Sequence, residues 1–356
     1  MKIALSGYYG FDNAGDEALL AAICHTIKNI EPRADFVVFS GSPEKTAHLH
    51  SLRAVNRMNP WIIFRELLNC DLLISGGGSL LQDVTGPRSL PYYISIVALA
   101  KLLRKPVIFY AQGIGPINRP FSQYLMHAIA NKVDYITLRD EDSMFLLQHL
   151  GVDRPPIKVT ADPVFALEPS VLDFEEMASL LQEYGIKQHK LVGVSVRYWK
   201  ALEGHQVELA RVLDTLVNND YQVIFIPMDY AHDLTESQRV ADLMEKDAII
   251  IDRCLSSLEH IALISNFDLL VGMRLHSLIF AANRGIPFAG ISYDPKIDAF
   301  LKSFDLQPLP SDGQAMMMQI ENLLQNHLFR EKIAARASEM RGRAEENAHL
   351  ALSLIP

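Results

Sequence analysis

Short, almost wholly apolar strands alternate with helices through most of this chain, and that alternation leaves it few ways to fold. Lys2–Ser6, Asp35–Ser40, Cys70–Ser75, Val107–Ala111 and Tyr135–Leu138 read as strands in the first half. Leu191–Val196, Gln222–Ile226, Ala248–Ile251, Asp268–Val271 and Ile286–Ile291 follow in the second. Strands bounded by turn residues and separated by helices predict parallel sheets, here an α/β chain of two doubly wound domains with a cleft between them. A length of 356 residues agrees, being long for one core. Asp153–Pro156, Asp162-Pro163 and Glu168-Pro169 punctuate a non-periodic segment, which puts the domains at 1–168 and 169–326. Residues 327–356 are then a long helix of mixed charge packed across the domains.

Composition narrows the partners. With 33 Lys and Arg against 42 Asp and Glu, the net charge of −9 argues against a nucleic-acid surface, so an anionic substrate needs a local basic pocket. Cys24, Cys70 and Cys254 are far apart among apolar residues, and read as buried thiols of a reducing compartment without metal spacing. The first apolar run is too short for a signal peptide and none reaches a membrane span, so the expected location is cytoplasmic.

The stretch Asp268–Lys296 concentrates the chemistry. Strand, helix and strand make one βαβ unit, and its first turn carries Arg274, His276 and Ser277. Ligands of parallel sheets sit beyond the carboxyl ends of strands, where helix N-termini offer amide donors to anions. An anion held beside a proton donor or acceptor fits this turn; a surface arginine with a satisfied histidine fits it too. Arg197 leaves the strand Leu191–Val196 in the same way, and Lys296 closes the stretch.

In the first half the glycines of Gly7–Glu17 lack dinucleotide spacing, and Asp16 and Glu17 open the next helix, where they would repel a pyrophosphate. Tyr8, Tyr9, Phe11, Asp12 and Asn13 suit a hydroxyl-rich ligand, although a turn and capped helix would look alike. Gly76, Gly77 and Gly78 allow close backbone approach, followed by Ser79, Gln82 and Asp83. Arg139 lies at a strand's carboxyl end. Asp140 to Asp142 contain the chain's one Asp-x-Asp, better explained as an N-cap and first helical turn than as a metal motif.

Taken in order, GYYGFDNAGDE, GGGSLLQD, GIGPI, RDEDS, SVR, MRLHS and ISYDPK resemble the polysaccharide pyruvyl transferase family, most of all its CsaB type, which modifies cell-wall polymers that anchor surface-layer proteins. The series runs from the first strand to Lys296, and its order is more specific than any one motif. The resemblance implies a GT-B-like fold of two Rossmann-like domains. It implies transfer of the enolpyruvyl unit of phosphoenolpyruvate to a hexosamine, forming a pyruvate ketal and releasing phosphate. The implied acceptor is a lipid-diphosphate-linked ManNAc–GlcNAc disaccharide, with room for peripheral contact at the inner membrane face. No cofactor or metal is implied, since phosphoenolpyruvate is a co-substrate. Arg274, Leu275 and His276 match the family's donor-site Arg-Leu-His, and Arg197 its other donor-site arginine.

The residues themselves support this reading. A carboxylate and a phosphate close together need convergent cations, which Arg197, Arg274 and Lys296 supply. His276 is the expected general acid toward C3. Ser277 joins this donor set in the second domain. Asp12, Asn13, Asp16, Gly76, Gly77, Gly78, Ser79, Gln82 and Arg139 form the expected acceptor side, on the first. A GT-B glycosyltransferase or epimerase using a UDP-sugar is the rival enzyme, and a sugar-binding module the rival without catalysis.

Overall fold

The computed structural model describes residues 1–355 except 85, 169, 171, 173 and 188. Its contacts form two compact units. The first comprises Met1–Phe11, Asp16–Leu167 and Glu339–Pro356; the second comprises Asp12–Gly15 and Glu168–Ser338. Pro169, part of the expected boundary, lies outside the described residues.

The first unit is built on seven parallel strands: β1 (Lys2–Tyr9), β2 (Asp35–Ser40), β3 (Arg53–Asn56), β4 (Leu72–Gly76), β5 (Val107–Gln112), β6 (Tyr135–Leu138) and β7 (Ile157–Val159). Their order is β3-β2-β1-β4-β5-β6-β7. The order reverses between β1 and β4, so their exits flank the switch point where doubly wound sheets take ligands. Helices α3 (Pro60–Leu68), α4 (Ser89–Leu102), α5 (Pro120–Ala130) and α6 (Glu141–His149) cover one face. Ile63, Leu67, Val97, Ala100, Met126 and Leu147 seal that core. On the other face α1 (Ala14–Ile30) packs with Ala348 and Ala351 of the last helix. β3, β7 and α2 (Pro43–His50) have no counterpart in the sequence reading; β3 and β7 are short edge strands whose residues are only partly covered.

The second unit has five parallel strands: β8 (Leu191–Ser195), β9 (Gln222–Phe225), β10 (Ile249–Ile250), β11 (Leu269–Gly272) and β12 (Phe288–Gly290). Their order β10-β9-β8-β11-β12 reverses between β8 and β11. Helices α7 (Phe174–Glu183), α8 (Glu203–Asn218), α9 (Tyr230–Ala241), α10 (Ser257–Ile264), α11 (Leu275–Asn283), α12 (Pro295–Lys302) and α13 (Gly313–Gln325) surround the sheet. Local sequence fixes their starts: Ser256 and Glu259 form a capping box on α10, and Asp294 and Asp312 cap α12 and α13.

The last helix, α14, is continuous from His327 to Leu352. Arg330 and Arg336 bond Asp268 and Ser303 in the second unit. From Glu339 onward α14 belongs to the first unit, where the buried Asn347 bonds Thr160 and the Ala161 carbonyl. Cys24 and Cys70 are buried as expected, but Cys254 is exposed: in the loop before α10 it is its neighbour Leu255 that turns inward. Among the described residues no helix is long and apolar enough to cross a membrane.

Candidate functional site

In the second unit the two strands at the switch point each deliver an arginine. The exit of β11 places Arg274 at the N-cap of α11 in extended conformation, so Leu275 and His276 form the first helical turn. Arg274 lays one edge of its guanidinium on Asp233: Nε donates to Oδ2 at 2.9 Å and Nη2 to Oδ1 at 2.6 Å. Nη2 also reaches Asp229 at 3.3 Å. Asp233 is fully buried in the first turn of α9. Burial alone would disfavour the arginine's charge, but the hydrogen bonds and charge of Asp233 outweigh it and raise its pKa. This side-on fork occupies Nε and Nη2, and Nη1 has no hydrogen-bond partner among the described residues.

Arg197, beyond β8, is held differently. Its guanidinium lies 4.8 Å from the Tyr293 ring centroid and 5.6 Å from that of Trp199, and Nη1 donates to the Tyr293 hydroxyl at 2.9 Å. Its buried Nε has no hydrogen-bond partner among the described residues, and no carboxylate there pairs with it. Beyond β12, Lys296 is the second residue of α12, with Nζ 3.2 Å from Asp294. Arg197, Arg274 and Lys296 thus leave the adjacent strands β8, β11 and β12 at one sheet edge.

The loop Asp12–Gly15, expected on the acceptor side of the first domain, packs into this same unit. Asn13 makes an isolated antiparallel bridge with Asp229, and Ala14 N–H donates to the Met228 carbonyl at 2.9 Å. The Asn13 side chain accepts from Gly15 N–H at 3.0 Å. Gly15 lies so close to His276 that an added Cβ would stand 2.1 Å from its Nδ1. The structure therefore brings Asn13, Ala14 and Gly15 to the Arg274–His276 turn, with Asp12 preceding them in the same loop. Two other members of that turn face inward. Leu275 is buried, and Ser277 is fully buried with its hydroxyl donating to the Arg274 carbonyl at 2.7 Å, so its hydrogen bond is used to shape the turn.

The remaining expected residues gather in the first unit. β4 ends at Gly76, and Gly77 and Gly78 follow with φ of +63° and +76°, a left-handed pair that only glycine enters easily. An added Cβ on Gly78 would meet Asp16 Oδ1 at 3.0 Å, so this acid of α1 lies over the glycine turn. No helix follows directly; the chain runs irregularly to Ser89. Arg139, at the exit of β6, has a side chain only 7% exposed and donates to Asp162 at 3.0 Å and to Ser79 Oγ at 2.9 Å. Gln82 Nε2 bonds the Ser79 carbonyl at 3.0 Å. Asp83 is a latch: it accepts from Asn118 N–H and Arg119 N–H, which outweigh burial and hold its carboxyl below the usual range. Asp140 caps α6 by accepting from Ser143 N–H at 2.7 Å, with Glu141 and Asp142 in the first turn. Glu17 accepts from Gly10 N–H and pairs with His50. Among the described residues no group of three or more His, Cys, Asp or Glu side chains is placed to hold a metal ion.

Sequence reasoning missed Asp233, Asp229 and Tyr293, the partners that orient the two arginines. Asp229 ends a strand exit, Pro227–Tyr230, which was the only local signal for it.

The profile of the family described as Polysaccharide pyruvyl transferase matches residues 13–295. A curated relative, the amylovoran biosynthesis protein AmsJ of Erwinia amylovora, is 23% identical over 95% of this chain and 96% of its own length. The fold is similar to the UDP-GlcNAc 2-epimerase of Methanocaldococcus jannaschii, with a TM-score of 0.71, 12% identity and coverage of 99% of both chains. It is also similar to Anabaena Alr3699/HepE, solved in complex with UDP and glucose, with a TM-score of 0.61, 15% identity and 99% coverage of both chains. At such identities the likeness is one of fold, which is α/β and GT-B-like. The match over most of the chain makes this protein a member of the polysaccharide pyruvyl transferase family, an enzyme of pyruvyl transfer in polysaccharide biosynthesis.

Proposed function

We propose that the enzyme transfers the enolpyruvyl unit of phosphoenolpyruvate to two hydroxyls of one hexosamine, forming a pyruvate ketal and releasing phosphate. The observation that supports the reading is the placement of Arg197, Arg274 and Lys296 at the exits of three adjacent strands, with His276 in the same turn as Arg274. A donor with carboxylate and phosphate together calls for such convergent cations.

In this reading Arg197 anchors one anionic group through its uncompensated charge, and the outer edge of Arg274 takes the other. His276 delivers a proton to C3, which makes C2 electrophilic. One sugar hydroxyl bonds to C2, the C2–O bond to phosphate breaks, and the second hydroxyl closes the ring. Of the two hydroxyl protons, one replaces that given to C3 and the other leaves with the phosphate. Gly15 of their loop packs on His276 and Asn13 bridges Asp229, so Asp12 and Asn13 are read here as holding acceptor hydroxyls near C2 rather than a remote part of the saccharide. Asp16, Gly76 to Gly78, Ser79, Gln82 and Arg139 are read as the first unit's own acceptor surface.

The acceptor is read as the ManNAc of a lipid-diphosphate-linked ManNAc–GlcNAc disaccharide. The setting is then cytoplasmic synthesis of cell-wall polymers that anchor surface-layer proteins. AmsJ, a relative named for amylovoran biosynthesis, fits the same polymer-directed role. The test is to incubate the enzyme with phosphoenolpyruvate and the lipid-linked disaccharide, following phosphate release and ketal formation by NMR. Release of neither product, with tight binding of UDP instead, would move the enzyme to the sugar-nucleotide chemistry named for its structural neighbours.

A further inference from the structure

Charge is unevenly spread along this acidic chain. Residues 53–132 hold nine Lys and Arg against three Asp and Glu, while the rest hold 24 against 39. Two of those three acids, Glu66 and Asp83, are buried and hydrogen-bonded. This basic stretch supplies α3, α4 and α5, which lie side by side with α4 in the middle. Each follows a strand of one parallel sheet, so all three N-termini lie along its carboxyl edge.

That rim is both apolar and cationic. Met58 and Trp61 at the start of α3 are each 72% exposed, and Phe121 and Tyr124 in the first turns of α5 are 64% and 67% exposed. Between and beside them Arg88 precedes α4 and Arg119 precedes α5, both exposed. Among the described residues the first turns of α3, α4 and α5 carry no acid; acids on that sheet edge begin the flanking helices, with the exposed Glu44 in α2 and Glu141 and Asp142 in α6.

We propose that this rim of the first unit docks on the surface of an anionic lipid bilayer. Trp and Tyr favour the headgroup level of a bilayer, Met and Phe enter just below it, and arginines meet lipid phosphates, so one face satisfies both attractions. A nucleic-acid surface would need a continuous stripe of clustered cations, whereas Arg88 and Arg119 stand singly among apolar side chains. A second copy seated symmetrically on the rim would oppose Arg88 and Arg119 to themselves. Bilayer contact also suits an enzyme whose acceptor is lipid-linked, but binding is measured without substrate and so is independent of the donor and acceptor assignments.

The experiment is co-sedimentation of the full chain with vesicles of phosphatidylcholine, alone or mixed with an equal part of phosphatidylglycerol. The wild type is expected to sediment with the mixed vesicles only, and less as salt rises. Reversing both cations, Arg88→Glu with Arg119→Glu, should lower partitioning at least about tenfold, since each cation near an anionic surface is worth about fivefold. Trp61→Ser with Phe121→Ser should lower it severalfold, at side chains exposed enough to leave the fold intact, as circular dichroism would verify. Lys101→Glu with Lys105→Glu, at the opposite ends of α4 and its loop, should change it much less. Absence of binding to mixed vesicles at low salt overturns the proposal, as does binding that the rim variants leave unchanged. Light scattering that shows a dimer dissolved by Trp61→Ser, or a DNA duplex that binds where vesicles do not, would give the rim to another occupant.

Discussion

The neighbouring exits of β8 and β11 hold arginines in opposite ways. Arg274 is fixed by a buried carboxylate that takes up two of its nitrogens, and a second aspartate adds to the first. Arg197 is fixed by two rings and a phenol, with its charge left over. Two arginines at equivalent places in a sheet therefore do unequal work. One is a rigid, largely compensated element beside His276, and the other carries a charge that no described carboxylate pairs. On the proposed reading, turnover falls chiefly to the β11 exit and anion affinity chiefly to the β8 exit.

Four measurements break or sharpen that contrast. The largest effect is expected for His276→Ala: turnover falls by about 10² to 10⁴, the usual contribution of a placed acid, with a smaller change in donor affinity. Incorporation of solvent deuterium at C3 checks the assignment, and a His276→Gln enzyme that still labels C3 at near the original rate takes the proton step away from this turn. Next is Asp233→Ala, which leaves Arg274 without its buried partner and should destabilise the fold by about 3–5 kcal/mol. Thermal melts should show Arg274→Ala with Asp233→Ala to be less damaging than the two single losses added together; strict additivity would mean the fork carries no coupling.

Arg197→Ala should weaken donor binding by roughly ten- to a hundredfold while sparing turnover at saturation, because a lost charged hydrogen bond is worth about 1.5–3 kcal/mol. Lysine should restore little, since the aromatic stack suits a planar guanidinium. A fall in kcat with unchanged donor KM would reverse the division of labour. The smallest effect is expected from chelation. The carboxylates Asp229 and Asp233 are engaged with Arg274, so turnover in EDTA should match the untreated rate. Loss of activity that a divalent cation restores would reassign them.

Much of this was legible in the sequence wherever the signal is local. The strand exits carrying Arg197, Arg274 and Arg139 and the cap at Asp140 follow from patterns a few residues long. The contacts that decide what each arginine does were not. Arg274 meets Asp233 and Arg197 meets Tyr293 across 41 and 96 residues, and no periodicity encodes such pairs. Ser277 joins the donor set by its place beside Arg274 and His276, but its hydroxyl is directed back at the Arg274 carbonyl. The loop Asp12–Gly15 reads as part of the first strand's exit, yet one bridge to Asp229 and the glycine face against His276 enrol it in the other unit.

The interleaving of segments bears on how the chain is made. Ala348 and Ala351 pack with Ile3, Leu5 and Ile23, so the first unit's core stays open on one side until the last turns of α14 emerge from the ribosome. By then all of Glu168–Ser338 has been synthesised. Asp12–Gly15, in turn, is synthesised early and must wait for Met228 and Asp229. The first unit therefore cannot complete its fold before the second has been synthesised, which predicts a nascent chain that exposes apolar surface late.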